Sequence, residues 1–113
     1  MRRDQKLEQL GQLAALRSQR SAARLAGRMA KLTALQARDT ALRAPPEGEP
    51  ASLPELIARD RHDTWRNQQL ARLSLELARA RAEVEPFRHA HARDVAREQV
   101  IARLQGKRTK GAG

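Results

Sequence analysis

Residues 44–54 read APPEGEPASLP and hold four of the five prolines in the chain. Each proline removes a backbone donor and biases its predecessor out of the α region, so no helix crosses this segment. Immediately after it, Ser52 and Glu55 stand at capping-box spacing, in which each side chain satisfies a free backbone N–H. Pro54 falls in the first helical turn, where its missing donor costs nothing. Working outward, the pattern predicts a helix over about 4–43, a Pro-rich turn at 44–54 and a second helix over about 53–105. The last residues, GKRTKGAG (106–113), read as a disordered tail. At 1.5 Å per residue the two helices measure roughly 60 and 80 Å. Arms of that length cannot fold into a globule, but they can lie side by side. The expectation is one all-α, elongated domain over 1–113: an antiparallel two-helix coiled-coil hairpin.

Composition agrees with that architecture. The 113 residues include one Trp, one Phe, no Tyr and no Cys, with 2% aromatic against 32% charged residues. Few aromatics leave little area for a globular core, and the absence of Cys excludes disulfides and thiolate metal sites. Ala and Leu, with Arg, Gln and Glu, supply the helix-forming bulk. No run approaches the ~20 apolar residues that span a bilayer, and the N-terminal MRRDQKLEQL lacks the apolar core of a secretory signal. A cytoplasmic protein is expected.

The second arm has the clearer seam. Leu70, Leu73, Leu77, Ala80, Val84, Phe87 and His91 are spaced 3-4-3-4-3-4, the a/d pattern of a coiled coil. Past His91 the register drifts into a looser face of Val95, Ile101 and Leu104. On the first arm, Leu7, Leu10, Ala14, Leu25, Met29 and Leu32 share one arc, interrupted by Ser18 and Ser21. Gly11 and Gly27 either weaken that helix or permit close approach of another. Pro86 lies inside the second arm without shifting the phase from Val84 to Phe87. A kink there is expected in preference to a break, the alternative being a separate terminal helix that starts at Pro86.

Catalytic chemistry finds no foothold. His89 and His91, two apart, point to opposite sides of a helix, whereas a helical metal pair uses i, i+4. There is no phosphate-cradling glycine loop, no nucleophile elbow and no evident carboxylate pair. No enzyme activity, metal, cofactor or small-molecule substrate is expected.

Charge is more informative. The formal net charge is +10, divided as +7 over residues 1–43, −2 over the turn and +5 over 55–113. Between Glu8 and Asp39 there is no acid, while Arg17, Arg20, Arg24, Arg28, Lys31 and Arg38 recur at helical steps. They form either a basic rail for an acidic partner or flanking positions whose stems cover the seam. Near the C-terminus Arg88, Arg93, Arg97, Arg103, Lys107 and Arg108 make a second basic set, partly neutralised if Asp94 and Glu98 pair with Arg97 and its neighbours. Trp65, in the polar stretch RHDTWRNQQ (61–69), is an interface anchor or a cap on the hairpin end.

Two basic helical arms, a central breaker and the ending REQVIARLQGKR (97–108) resemble the flagellar export stalk proteins, the FliJ family, and their YscO-like relatives in type III secretion. The resemblance runs from Lys6 to Arg108. It implies a non-catalytic coiled-coil stalk of the flagellum biogenesis and protein export machinery. Such a stalk inserts its terminal ends into the hexameric export ATPase, contacts the membrane export gate and escorts export chaperones. On that reading Arg93, Arg97, Arg103 and Arg108 face the ATPase, while Trp65, Leu70 and Leu73 lie nearer the gate. The protein would sit in the cytoplasm against the inner-membrane export apparatus. The chain is shorter than typical members and its turn more abrupt, and Pro86 departs from a straight stalk. The alternatives are a basic helical nucleic-acid-binding protein and a dimeric coiled-coil scaffold. Scarce aromatics and the acids Asp60, Asp63, Glu76, Glu83 and Glu85 weigh against nucleic acid.

Overall fold

A computed structural model describes residues 2–111, with side chains to residue 107. Two helices account for nearly all of them: α1, Arg2–Arg43, and α2, Leu53–Gly111. No strand occurs among the described residues, and no described helix is long and apolar enough to cross a membrane. The all-α hairpin class is as the proline segment predicts. Two boundaries differ in detail. The expected tail at 106–113 is helical through Gly111, where no proline stops the helix. Residues 112 and 113 lie outside the described residues. The helix also runs uninterrupted through Pro86, which removes the alternative of a separate terminal helix.

Contacts group the chain into two units, Met1–Met29 with Glu83–Gly113, and Ala30–Ala82. Each helix contributes to both. In the turn unit, Ala30–Ala82, the buried residues are Leu32 and Leu35 from α1 and Leu73, Leu77 and Ala80 from α2. Their steps of three and four place them on one stripe of each helix. Burying four leucines contributes roughly 1.5–3 kcal/mol apiece. The half-buried Asp39 and Leu42 continue the α1 stripe, and Arg59, Asp63, Arg66 and Leu70 continue that of α2. Arg38 reaches Glu76 at 4.0 Å, and the turn joins the end of α1 to the start of α2, so the two helices of this unit run antiparallel.

The turn is held by hydrogen bonds. Gly48 takes φ +70°, a left-handed conformation that other residues adopt only with strain. Arg59 Nη1 donates to the Gly48 carbonyl at 2.7 Å and Nη2 to that of Glu47 at 3.1 Å. Nη2 also lies 3.4 Å from the Glu55 carboxylate. The capping box forms with one shift. The Glu55 N–H donates to Ser52 Oγ at 3.3 Å, while the Glu55 carboxylate accepts from the N–H of Ala51, at 2.8 Å, and not that of Ser52.

In the terminal unit, Met1–Met29 with Glu83–Gly113, the buried residues are smaller: Ala14, Ser18 and Ser21 from α1 and Val84 from α2. Gln105 Nε2 donates to the Leu7 carbonyl at 3.1 Å, Ser18 bonds Glu98, Ser21 bonds His91 at 3.0 Å and Arg28 meets Glu83 at 3.8 Å. One residue number rises as the other falls, so this pair is antiparallel too. The less exposed residues of α1 here include 7, 11, 14, 18, 21 and 25, and those of α2 include 84, 87, 91, 94, 98, 101 and 105. Both sets keep strict heptad steps. The register therefore does not drift after His91. It continues through Ile101 and through Asp94, Glu98 and Gln105, three polar residues that an apolar search passes over.

The two helical glycines have opposite roles. A Cβ on Gly11 would stand 2.5 Å from Gln105 Nε2, whereas one on Gly27 meets nothing within 4 Å. Close approach at Gly11 admits the Gln105 amide to the Leu7 carbonyl; Gly27 only loosens α1. Gly27→Ala is expected to stabilise the chain by up to ~1 kcal/mol through helix propensity. Gly11→Ala gains the same propensity but displaces Gln105, so its thermal melting midpoint should fall below that of Gly27→Ala. Equal midpoints would contradict the close contact.

Candidate protein-interaction face

The seam of the terminal unit is a polar layer, not a gap. Ser21 Oγ donates to the Ser18 carbonyl at 3.1 Å and stands 3.0 Å from His91 Nδ1. Ser21 has one hydrogen, so it either accepts from His91 Nδ1–H or donates to an unprotonated Nδ1, according to the His91 tautomer. Ser18 Oγ reaches both the Ala15 carbonyl, at 3.0 Å, and the Glu98 carboxylate. Having one hydrogen, it serves them alternately or shares it. Small paired polar residues at seam positions set register at the expense of apolar burial. Ser18 and Ser21 were expected to interrupt the seam; instead they are buried in it and joined across it. Glu98, expected to neutralise Arg97, is engaged by Ser18, and Asp94 forms no ion pair among the described residues.

The seam residues expected from α2 are placed as predicted: Leu73, Leu77 and Val84 are buried, with Leu70 and Phe87 half-buried. The resemblance also places Leu73 near the gate-binding surface. At 2% exposure it has no face to offer a partner, because its heptad phase turns it into the seam. Leu10, assigned to the α1 seam, is half exposed, since the phase set by Leu7, Gly11 and Ala14 leaves it on the flank. Trp65 is also about half exposed, its ring 5.4 Å from His62 one turn back on the same helix.

The basic rail divides by partner. The Arg28 guanidinium lies 4.9 Å over the Phe87 ring and 3.8 Å from Glu83, a cation–π contact and an ion pair that tie it to α2. Lys31 also has a partner. Arg17, Arg20 and Arg24 have no ion-pair partner among the described residues, and they open onto a groove of about 310 Å³ lined by Ser21, Pro86, Phe87, Ala90 and Asp94. A smaller hollow of about 80 Å³ continues past Arg17 and Asp94 to Leu10, Leu13, Arg97 and Ile101. Of the C-terminal basic set, Arg88 pairs with Glu85 at 3.6 Å. Arg93, Arg97 and Arg103 are exposed, and the side chain of Arg108 lies outside the described residues.

Charge follows the same division. The terminal unit holds fourteen basic and six acidic residues, net +8; the turn unit holds nine and seven, net +2. Among the described residues no group of three or more His, Cys, Asp or Glu is arranged to hold a metal. What this face offers is cationic side chains and exposed leucines beside a polar seam, an arrangement suited to binding. No protein-family model, curated protein or solved structure matches the chain.

Proposed function

We propose that this chain is a non-catalytic coiled-coil stalk or adaptor of a bacterial flagellar or type III protein export apparatus. It works in the cytoplasm at the inner membrane and binds a hexameric export ATPase and the export gate. The observation that carries this reading is the concentration of charge, +8 of the +10, in the unit formed by the two chain ends. Contacts made by exposed guanidiniums break and re-form readily, which suits a cycling ring better than a large apolar interface. Arg93, Arg97 and Arg103, with Arg108, are assigned to the ATPase side, and the exposed Trp65 with Leu70 to the gate side; export chaperones are further partners.

Nucleic acid fits the same charge less well. Stacking on single strands needs several free aromatic faces; the chain has one Trp and one Phe, and Phe87 is already covered by Arg28. The test is retention of purified hexameric export ATPase on the immobilised chain, alongside a duplex-DNA titration across salt. Retention at physiological salt, lost on Arg93→Glu with Arg97→Glu and Arg103→Glu, is expected. No retention, or sub-micromolar DNA binding that persists at that salt, would overturn the proposal; binding by phosphate contacts alone should fall steeply with salt.

A further inference from the structure

We infer that the groove of the terminal unit is the seat for a third helix: one acidic, amphipathic helix supplied by a partner protein. The two hollows have Arg17 and Asp94 in common, so they lie end to end along the channel between α1 and α2. Beside the seam, α1 carries a second stripe with heptad spacing: Leu10, Leu13, Arg17, Arg20 and Arg24, at steps of 3-4-3-4. Across the channel α2 carries its own: Pro86, Ala90, Arg93, Arg97, Val100 and Leu104, at steps of 4-3-4-3-4. A helix with two adjacent stripes of this kind has one for its first partner and one for another.

The composition of the stripes states what the third helix must look like. At one end Leu10, Leu13, Val100 and Leu104 are each about half exposed, an apolar end without a cover. Toward the other end Arg17, Arg20 and Arg24 line the channel opposite Pro86 and the small Ala90, which leaves room for an incoming side chain. Asp94 is the lone carboxylate among the lining residues, against Arg17, Arg20, Arg24 and Arg97, so the channel stays cationic. Elsewhere Arg28, Arg38, Arg43, Arg59, Arg66 and Arg88 each meet a carboxylate of the chain itself. The channel arginines do not.

A second copy of the chain would bring +8 against +8, and a phosphate backbone would leave the leucines uncovered. A helix with apolar residues at 3-4 spacing in one half and Asp or Glu at the same positions in the other satisfies both ends. Leu10 to Arg24 spans roughly 21 Å of helix axis, about four turns. The inference deepens the adaptor reading, resting on it only in taking the partner to be a protein.

The test uses a fluorescent peptide of about 18 residues with that Leu and Glu arrangement, titrated into the full chain at physiological salt. Saturable binding is expected. Arg17→Glu with Arg20→Glu and Arg24→Glu should weaken it at least tenfold, about 1.4 kcal/mol, with helicity retained by circular dichroism. Ala90→Trp, which fills the channel without altering charge, should weaken it comparably. Equal binding of a peptide with the same residues scrambled, indifference to Ala90→Trp, or displacement of the peptide by equimolar duplex DNA would each overturn the inference. A peptide that binds while the export ATPase does not keeps the seat and removes the export assignment. ATPase retention by a chain that does not bind the peptide does the reverse.

Discussion

Leu77→Asp is expected to abolish the helical circular dichroism signal and the melting transition together. Leu77 is 6% exposed and lies in the short leucine-rich stretch of the seam that α2 shares with Leu32 and Leu35 of α1. A carboxylate there must be buried without a partner or remain protonated, and either state costs several kcal/mol. Small domains have only about 5–15 kcal/mol in hand, and neither long helix is stabilised by a core of its own. The control is Leu75→Asp, two residues away on the same helix but 56% exposed, which should leave both signals in place. Retained helicity with unchanged melting in Leu77→Asp would show that the heptad phase is misassigned.

The second large effect has the opposite sign. Pro86 lies within an uninterrupted α2, so the Ala82 carbonyl lacks its i+4 donor and the proline ring crowds the preceding turn. Such a proline costs ~3 kcal/mol. Pro86 lines the groove, off the seam to which the flanking Val84 and Phe87 belong, so Ala at 86 requires no repacking of Val84. Pro86→Ala should raise stability by up to ~3 kcal/mol, a shift in melting midpoint on the order of 10 °C for a chain of this size. If Pro86 instead opened a separate helix, where its missing donor is free of cost, the same substitution would leave the midpoint unchanged.

Much of this architecture is written locally. The proline segment, the Ser52–Glu55 box and the 3-4 spacing of Leu70 to Phe87 each depend on residues within a turn or two of one another. Apolar spacing alone follows the heptad of α2 only as far as Phe87, which is where sequence and structure part. In the terminal unit the same rule runs through Gly11, Ser18, Ser21, Asp94, Glu98 and Gln105. Their seam membership comes from contacts with residues roughly 70 to 100 positions away, such as Ser21 with His91 and Leu7 with Gln105. Hydrophobicity alone places Leu10 in the seam, although the phase places it on the flank. The candidate site was half legible for the same reason. Arg17, Arg20 and Arg24 stand out as a rail in an acid-free stretch, but which arginines keep an internal partner depends on α2, as Glu83 and Phe87 do for Arg28.

The groove, the polar layer and the separation of charge all require that the chain close on itself with its arms antiparallel. Because the chain has no cysteine, a Ser21→Cys, His91→Cys double variant can be treated with a short bismaleimide at low concentration, in a mixture of two differently sized tagged forms. Ser21 Oγ and His91 Nδ1 stand 3.0 Å apart, so rapid cross-linking within each chain, at monomer mass and with no mixed-size product, is predicted. Cross-links that join the two tagged forms at the expense of the monomer product would contradict the hairpin, and with it the proposed seat for a third helix.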